Sequence, residues 1–283
     1  MRTHVFAGVV AGFFVFTANA ASAGTFIVST IGDDAGACGT PAAPCKTLQR
    51  AINRADSGGT ILLSDPGNYG SATITKSVNI RGVPGAGIFS PTLPCLTLNG
   101  PGITVTVDGL TCDMDGAAKD GILFNSGHKL RLENSTVRGT TGPTCGLLVN
   151  PSTGSDEVMI NNSTFVENGT TGTNDGGGIC LQPSGTAQLS GVIRNSIFQN
   201  DRHGFVSAPT GSATSSLLFD GVNSSNNAGG IFSVGANSTV CIRNSTVSGN
   251  SFQGLGGGGI LLNGGGNTVW NNITNGAFSG NCP

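Results

Sequence analysis

The chain has 283 residues, of which 47 are Gly and only 10% are charged, and its formal net charge is −2. The absence of a basic excess argues against a nucleic-acid-binding surface, and the low content of charged residues does not suit a helical globular protein. Abundant Gly, Asn, Ser and Thr instead predict a turn-rich, all-β stack.

The N-terminal segment has the features of a secretory signal. After a positively charged start, an apolar run extends from Val5 to Phe16, followed by two small-residue cleavage sites at 18–20 and 21–23. The run is shorter than the ~20 apolar residues that a membrane-spanning helix needs. We therefore predict a signal peptide over 1–23, no membrane span, and a secreted, periplasmic or cell-surface protein with a single domain over 24–283.

The next predicted elements are a β-like segment at 25–30 and a loop that continues to Pro44. A helix is then predicted over 46–55, because Leu48, Ala51, Ile52 and Ala55 have the i, i+3, i+4, i+7 spacing of one helical face. A strand is predicted at 60–63, followed by a turn at Asp65-Pro66-Gly67.

Glycine followed by apolar residues then recurs six times, about every 25 to 32 residues. The glycines are Gly121, Gly146, Gly178, Gly204, Gly230 and Gly259. A period of this size is typical of stacked units that are each too small to bury an apolar face alone.

A second strand in each repeat ends in Asn-Ser, and a short third strand follows. The asparagines are Asn134, Asn162, Asn195 and Asn244, and Gly221 takes the equivalent place in one repeat. Asn and Gly both tolerate the left-handed backbone conformation, so a tight bend is predicted there, with side chains that can bond along the stack. Three strands per repeat of ~25 residues predict a parallel β-helix, with coils ~4.8 Å apart.

The entry segment resembles that of a known superfamily. Leu48-Gln49, Ala51-Ile52, Ala55, Gly58, Ile61 and Leu63, followed by Pro66-Gly67 and Tyr69, are similar to the entry of pectate-lyase-like proteins. The resemblance implies an all-β, right-handed parallel β-helix solenoid, whose N-terminal amphipathic capping helix shields the open end of the core. It is closest to secreted bacterial members without an assigned activity.

Three enzyme groups that share this fold carry specific residues, and the chain lacks these sets. Pectin methylesterases carry an acidic residue shortly after Gly-x-Tyr, where this chain has Gly70 and Ser71. Polygalacturonase-like enzymes carry Asn-x-Asp, Asp-Asp and Gly-His-Gly in order, whereas here Asp33-Asp34 comes too early and Arg202-His203-Gly204 stands in for the last motif. Pectate lyases place charged residues on strands that are apolar here. The resemblance therefore implies no particular activity.

All eight cysteines lie after residue 23, and an even number in an exported protein favours disulfides. Cys38 and Cys45 bracket a short loop and are predicted to pair. Cys95 and Cys112 are also predicted to pair, because one coil brings their strands together. The pairing of the other four cysteines stays open; these are Cys145, Cys180, Cys241 and Cys282.

The residues before the glycine strands form the candidate catalytic row, which consists of Asp175, Asp201, Arg202 and His203. Asp175 and Asp201 each precede their glycine by the same interval, which predicts vertical neighbours. Two such carboxylates can act as acid and base on a glycosidic bond or bind Ca²⁺, with His203 as proton carrier and Arg202 as anion clamp. The alternative, which we favour, is a pair of structural turn residues.

Other rows are candidates for binding. Asp113 and Asp115 resemble half a calcium loop, so Ca²⁺ is the one cation considered, and no cofactor is predicted. A polar row along the second strands is either a surface ladder or a set of sugar-binding groups; it consists of Glu133, Asn161, Arg194, Asp220 and Arg243. Alternation along the glycine strands predicts an outward apolar row for a polysaccharide or protein partner, consisting of Leu123, Leu148, Cys180, Val206, Phe232 and Leu261.

These patterns support two functional hypotheses. The first is an exported, non-enzymatic binding or scaffold module, with polysaccharide as one ligand class. The alternative is a polysaccharide lyase or glycoside hydrolase that acts at the row of Asp175, Asp201 and His203. The fold does not decide between them.

Overall fold

The structure, a computed structural model, describes residues 24–171 and 176–283. Its one described helix is α1 (Leu48–Arg54). The first strands are β1 (Thr25–Val28), β2 (Gly59–Leu63), β3 (Gly67–Asn68), β4 (Ala72–Ile74), β5 (Val78–Gly82), β6 (Ala86–Phe89), β7 (Leu96–Asn99), β8 (Thr104–Asp108), β9 (Thr111–Ala117), β10 (Ile122–Ser126), β11 (Lys129–Glu133), β12 (Thr136–Thr140), β13 (Cys145–Val149) and β14 (Ser155–Asn161). The others are β15 (Thr164–Val166), β16 (Gly177–Leu181), β17 (Gln188–Arg194), β18 (Ile197–Gln199), β19 (His203–Ser207), β20 (Thr214–Asp220), β21 (Asn223–Ser225), β22 (Gly229–Ser233), β23 (Ser238–Arg243), β24 (Thr246–Ser248), β25 (Gln253–Gly256), β26 (Ile260–Asn263), β27 (Thr268–Trp270) and β28 (Gly280–Asn281).

The strands form three parallel sheets, and the chain visits each sheet once per coil. Sheet I has eight strands in the order β4-β7-β10-β13-β16-β19-β22-β25 and contains the glycine strands. Sheet II has eleven strands in the order β1-β2-β5-β8-β11-β14-β17-β20-β23-β26-β28. Sheet III has nine strands in the order β3-β6-β9-β12-β15-β18-β21-β24-β27. This stepping by three confirms the predicted parallel β-helix.

The capping helix is also confirmed, although α1 is shorter than the predicted 46–55. Thr47 is the N-cap, and its Oγ1 accepts a hydrogen bond from Arg50 N at 3.3 Å. Leu48, Ala51 and Ile52 are buried, and the helix packs against β1, β2 and β4. The helix therefore covers the first coil with its apolar face.

The bends between sheets II and III contain the predicted left-handed residues. The φ angles are 49° at Asn134, 49° at Asn162, 47° at Asn195 and 50° at Asn244, and Gly221 in the same place has φ 70°. The four asparagines are exposed and define the outer ladder. Their Nδ2 groups donate along the stack, as from Asn162 to Asn134 Oδ1 at 2.7 Å.

A second ladder, not predicted from sequence, lies in the interior between sheets III and I. This inner ladder consists of Asn168, Asp201, Asn227, Asn250 and Asn272. In each of its four steps, the main-chain N–H of one member donates to Oδ1 of the member in the next coil, at 2.7 to 3.0 Å. The ladder thereby satisfies main-chain groups that are buried at this corner.

The inner ladder and the close approach of the coils explain the recurring glycines. A Cβ on Gly230 would lie 2.3 Å from Gly254 O and 3.0 Å from Asn250 Nδ2. A Cβ on Gly204 would lie 2.9 Å from Gly230 O and 3.0 Å from Asn227 Nδ2. Glycine is required here because the side-chain space is occupied, since these residues do not have a positive φ.

The sixth predicted glycine strand was assigned to the wrong sheet. Gly254, not Gly259, occupies the sixth glycine position, because Leu255 pairs with Ile231 in sheet I. Leu261 pairs with Val240 in sheet II and is buried. The C-terminal strand β28 also belongs to sheet II, since it pairs with β26. Four consecutive glycines at 256–259 made it impossible to assign from the sequence which glycine aligns with Gly230.

All eight cysteines are paired in four disulfides. The predicted pairs Cys38–Cys45 and Cys95–Cys112 are both present, with Cα–Cα distances of 4.8 and 5.9 Å. Cys145 pairs with Cys180 in the next coil of sheet I, and Cys241 pairs with Cys282, which ties the C-terminal segment to sheet II. Four disulfides are typical of an oxidising extracellular or periplasmic environment.

Candidate functional site

Asp201, the centre of the predicted catalytic row, lies in the protein interior. The residue is 4% exposed, and its Oδ1 accepts hydrogen bonds from Asn168 N at 2.7 Å and Asn168 Nδ2 at 3.0 Å. Its neighbour in the preceding coil is therefore Asn168, in the place where Asp175 was expected. Asp175 lies outside the described residues. A carboxyl oxygen that accepts from a main-chain N–H group is expected if Asp201 is a structural turn residue and not a catalytic acid.

His203 and Arg202 do not form an open groove with that carboxyl. His203 is 3% exposed, its Nδ1 lies 3.0 Å from Gly176 O, and its ring packs edge-on against Phe232 with centroids 5.1 Å apart. Arg202 is half-buried, and its main-chain N–H donates to Asn168 O at 2.9 Å. A buried histidine packed on an aromatic ring is poorly placed to exchange protons with a polymeric substrate.

The Asp113 and Asp115 pair is already engaged within the protein. Both Nε and Nη2 of Arg138 donate to Asp113 Oδ2, at 2.9 and 2.6 Å. Asp113 Oδ1 accepts from Asp115 N, and Asp115 has a left-handed φ of 48°. These contacts are those of a turn with a surface ion pair. The calcium hypothesis for these residues stays a prediction.

Asp34, Cys38 and Cys45 are the one group of potential metal ligands within 24–171 and 176–283. Both cysteines are in a disulfide, so neither supplies a thiolate. Asp34 instead anchors the start of α1, because its Oδ1 accepts from Lys46 N at 2.7 Å and its Oδ2 from Thr47 Oγ1 at 2.7 Å.

The predicted outward apolar row on sheet I is real but largely covered. Leu123, Leu148, Cys180, Val206 and Phe232 are aligned by the strand register. Cys180 and Val206 are fully buried and Phe232 is 8% exposed, whereas Leu123 and Leu148 are half-buried. Leu261 does not belong to this row, because it lies on sheet II. Little of the row is accessible to a partner.

The outer face of sheet II carries a groove, which we name the sheet II groove. It repeats one pattern on β14, β17, β20 and β23. A polar column, on one side, consists of Glu157, Ser190, Ser216 and Thr239. An apolar column, in the middle, consists of Met159, Val192, Leu218 and Cys241. A column with charged groups, on the other side, consists of Asn161, Arg194, Asp220 and Arg243.

The groove continues across several coils as two adjoining depressions. A depression of about 610 Å³ is lined by Val192, Leu218, Cys241 and Arg243, among others, and reaches the Cys282 disulfide. A second depression of about 290 Å³ adjoins it at Val192 and extends to Arg131 and Met159. The floor residues Met159, Val192 and Leu218 are half-buried, so each still offers apolar surface.

The charges around the groove are paired with one another. Asp220 Oδ2 lies 2.9 Å from Arg243 Nη2 and 3.8 Å from Arg194 Nε. Lys129 Nζ lies 2.8 Å from Glu157 Oε2 on the opposite margin. Hydrogen bonds from Asn244 and then Arg243 lower the pKa of Asp220, so this carboxyl is ionised at neutral pH. The groove therefore presents little unpaired charge.

Sequence reasoning identified the charged column but missed the apolar column beside it. The available signal was the alternation in β17 and β20, where Val192 and Leu218 lie two residues before Arg194 and Asp220. The runs Gly191–Ile193 and Leu217–Phe219 are almost continuously apolar, so the inward and outward residues could not be distinguished.

Within residues 24–171 and 176–283, no helix has the length and hydropathy required to cross a bilayer.

A family model described as "Right handed beta helix region" matches residues 98–277, which is more than half of the chain. No curated protein matches the sequence. Among solved structures, a chain named rhamnogalacturonan lyase is similar at 10% identity and a TM-score of 0.34, covering 85% of this chain and 72% of that chain. With its three parallel sheets and the family match, this chain belongs to the right-handed β-helix family.

Proposed function

We propose that this protein is an exported, non-enzymatic binding module that holds an uncharged polysaccharide along the sheet II groove. The observation that carries the proposal is the repeated pattern of a polar, an apolar and a charged or amide side chain on four consecutive strands. Neighbouring parallel strands are ~4.8 Å apart, so the groove offers the same chemistry at a fixed interval. A ligand with a repeating unit matches a repeating surface, and each additional unit adds binding energy.

The chemistry of the groove favours a sugar polymer. The half-buried side chains of Val192 and Leu218 suit the apolar faces of sugar rings, and the Ser190 and Ser216 hydroxyls on the margin suit sugar hydroxyl groups. The pairing of Asp220 with Arg243 and Arg194 disfavours a polyanion, which would have to compete with an existing carboxylate for the guanidinium groups.

Substitution in the floor of the groove tests the proposal. Val192→Arg places a long charged side chain across the apolar column, and we expect it to weaken binding by about tenfold or more. The matched control is Val166→Arg, because Val166 is also an outward, half-buried strand residue but lies on sheet III. Binding is measured with the purified protein on an array of uncharged and uronic acid polysaccharides.

Three outcomes contradict the proposal. The first is the absence of binding to any uncharged polysaccharide, and the second is an equal loss of affinity in Val166→Arg and Val192→Arg. The third is the release of shorter or unsaturated products from a bound polysaccharide, which would favour the lyase or hydrolase hypothesis over a binding module.

A further inference from the structure

The inner ladder contains one carboxyl group among four amides, and the two oxygens of that carboxyl have different environments. Asp201 Oδ1 takes the role of an amide oxygen, since it accepts from the main-chain N–H of Asn168 at 2.7 Å. The equivalent bonds to Asn227 and Asn250 are 2.9 and 3.0 Å long. Asp201 Oδ2 is buried and has no hydrogen-bond partner.

Oδ2 of Asp201 occupies the place of an amide nitrogen. In every coil of the ladder, the glycine of the neighbouring strand faces one atom of the ladder side chain. In four coils that atom is the amide nitrogen Nδ2. The distances from a Cβ built on the glycine would be 3.1 Å for Gly146 and Asn168, 3.0 Å for Gly204 and Asn227, 3.0 Å for Gly230 and Asn250, and 2.7 Å for Gly254 and Asn272. At Gly178 the corresponding atom is Asp201 Oδ2, at 2.8 Å. The other four rungs thus have an N–H donor where Asp201 has an oxygen.

The strand register identifies the group that Oδ2 faces. Each amide donates to a main-chain carbonyl of the preceding coil: Asn168 to Val137 at 3.1 Å, Asn227 to Phe198 at 3.2 Å, Asn250 to Ser224 at 3.3 Å and Asn272 to Val247 at 3.1 Å. These acceptors form one register row, and its one remaining member is Phe165, between Val137 and Phe198. By this equivalence, Asp201 Oδ2 is directed at the carbonyl oxygen of Phe165.

We propose that Asp201 is protonated in the folded protein and donates a hydrogen bond from Oδ2 to Phe165 O, so that loss of this proton loosens the solenoid at its central coil. An oxygen directed at a carbonyl oxygen is stabilised only if one of them carries a hydrogen. The protonated carboxyl reproduces both bonds of an asparagine, whereas the carboxylate replaces one bond with a repulsive contact in the interior.

The surroundings oppose ionisation of Asp201. Burial raises the pKa of the carboxyl well above its usual value, and the charge of Glu167 on an exposed turn of the preceding coil adds to the increase. Hydrogen bonds from Asn168 and from the main chain of Gln199 work in the opposite direction. Arg202 and His203 are the adjacent titratable or charged residues along the chain; the ring of His203 packs against Phe232, and Arg202 is half-buried.

The sign of the pH dependence follows from linkage. The folded state binds the Asp201 proton more tightly than the unfolded chain does, so its contribution is fully present below about pH 4 and is lost as the pH rises. We therefore expect the folding equilibrium constant of the wild type to decrease with pH, by up to about tenfold per pH unit, throughout the interval between the two pKa values. Asp201→Asn keeps both ladder bonds without a titrating proton, so this part of the decrease should disappear.

The experiment measures unfolding by urea from about pH 4 to about pH 8 for the wild type, Asp201→Asn and Asp156→Asn. Asp156 is the matched control, because it is a second buried carboxyl; burial raises its pKa to about 6, and the charge of His128 opposes this increase. Asp156→Asn should remove only the change in the free energy of unfolding that occurs near the pKa of about 6. At about pH 8, Asp201→Asn should be more stable than the wild type.

A direct measurement accompanies the denaturation series. The ¹³C resonance of the Asp201 carboxyl carbon, assigned by its absence in Asp201→Asn, should have the shift of a protonated acid at neutral pH. Two results overturn the proposal: a carboxylate shift for Asp201 at neutral pH, or a pH dependence that is unchanged in Asp201→Asn and abolished in Asp156→Asn.

Discussion

The solenoid contains two ladders of asparagine, and they are built for different reasons. The outer ladder is exposed at the bend between sheets II and III, and its four asparagines have φ values from 47° to 50°. The inner ladder lies at the bend between sheets III and I, where four of its five members are buried and Asn272 is half-buried, and none of the five has a positive φ. The same side chain therefore serves main-chain conformation in one place and hydrogen bonding in the other.

Each ladder has one position that is not asparagine, and the residue found there reflects this difference. In the outer ladder, Gly221 replaces asparagine, which keeps the left-handed conformation and abandons the side-chain bonds. In the inner ladder, Asp201 replaces asparagine, which keeps the shape and an acceptor oxygen. Exposed amide groups can bond to water, whereas a buried main-chain N–H group depends on the ladder.

The largest expected effect comes from a methyl group placed against the inner ladder. Gly230→Ala would bring Cβ to 2.3 Å from Gly254 O and 3.0 Å from Asn250 Nδ2, so the coils must separate. We expect a loss of more than about 3 kcal/mol in the free energy of unfolding, measured by urea denaturation. Gly280→Ala is the control, since its Cβ would meet only Leu262 Cδ2 at 3.6 Å. Equal stability of the two variants would show that the coils can separate at little cost.

Removal of an inner amide should have the next largest effect. Asn227→Ala leaves the main-chain N–H of Asp201 and the carbonyl oxygen of Phe198 without their bonds of 2.9 and 3.2 Å. Two unsatisfied buried groups should lower the free energy of unfolding by about 2 to 4 kcal/mol. Asn227→Gly should be at least as unstable, because no left-handed conformation is relieved at this position. If Asn227→Gly were instead as stable as the wild type, the inner ladder would depend on main-chain conformation in the same way as the outer ladder.

The outer ladder should give the opposite result with glycine. Asn162→Ala places an ordinary residue at φ 49°, and we expect it to cost about 1 to 2 kcal/mol. Asn162→Gly should remain within about 0.5 kcal/mol of the wild type, since it loses only the exposed bond to Asn134. The stabilities of Asn162→Ala and Asn162→Gly are compared by thermal or urea unfolding. If both variants are equally destabilised, the side-chain bonds matter more than the conformation.

The smallest expected effect is a pH dependence of the outer face. Hydrogen bonds from Asn244 and Arg243 lower the pKa of Asp220, so its contribution is present above about pH 4 and is lost as the pH falls below that value. The side chain is 24% exposed, so the contribution is at most about 1 kcal/mol. Asp220→Asn should remove this contribution above about pH 4 and flatten the acid end of the stability profile, while the slope of the profile near neutral pH stays that of the wild type. A change of slope confined to neutral pH would assign the effect elsewhere.

The sequence by itself determined the features that are repeated in short, uninterrupted segments. The period of the glycine strands predicts stacked coils, and the Asn-Ser ends of the second strands predict the bends at Asn134, Asn162, Asn195 and Asn244, all of which the structure contains. The capping helix and the pairs Cys38–Cys45 and Cys95–Cys112 were also predictable, because each depends on residues close together in the chain.

Only the tertiary structure decided which residues of successive coils are neighbours across loops of unequal length. Asp201 lies three positions before Gly204, yet its partner Asn168 lies much further before Gly178, so a fixed interval from glycine selected Asp175 instead. The same uncertainty placed Leu261 in sheet I when it belongs to sheet II. The physical reason is that strand pairing sets the register within a coil, whereas loops change length without disturbing the strands. The sheet II groove and the buried carboxyl of the inner ladder both depend on this register.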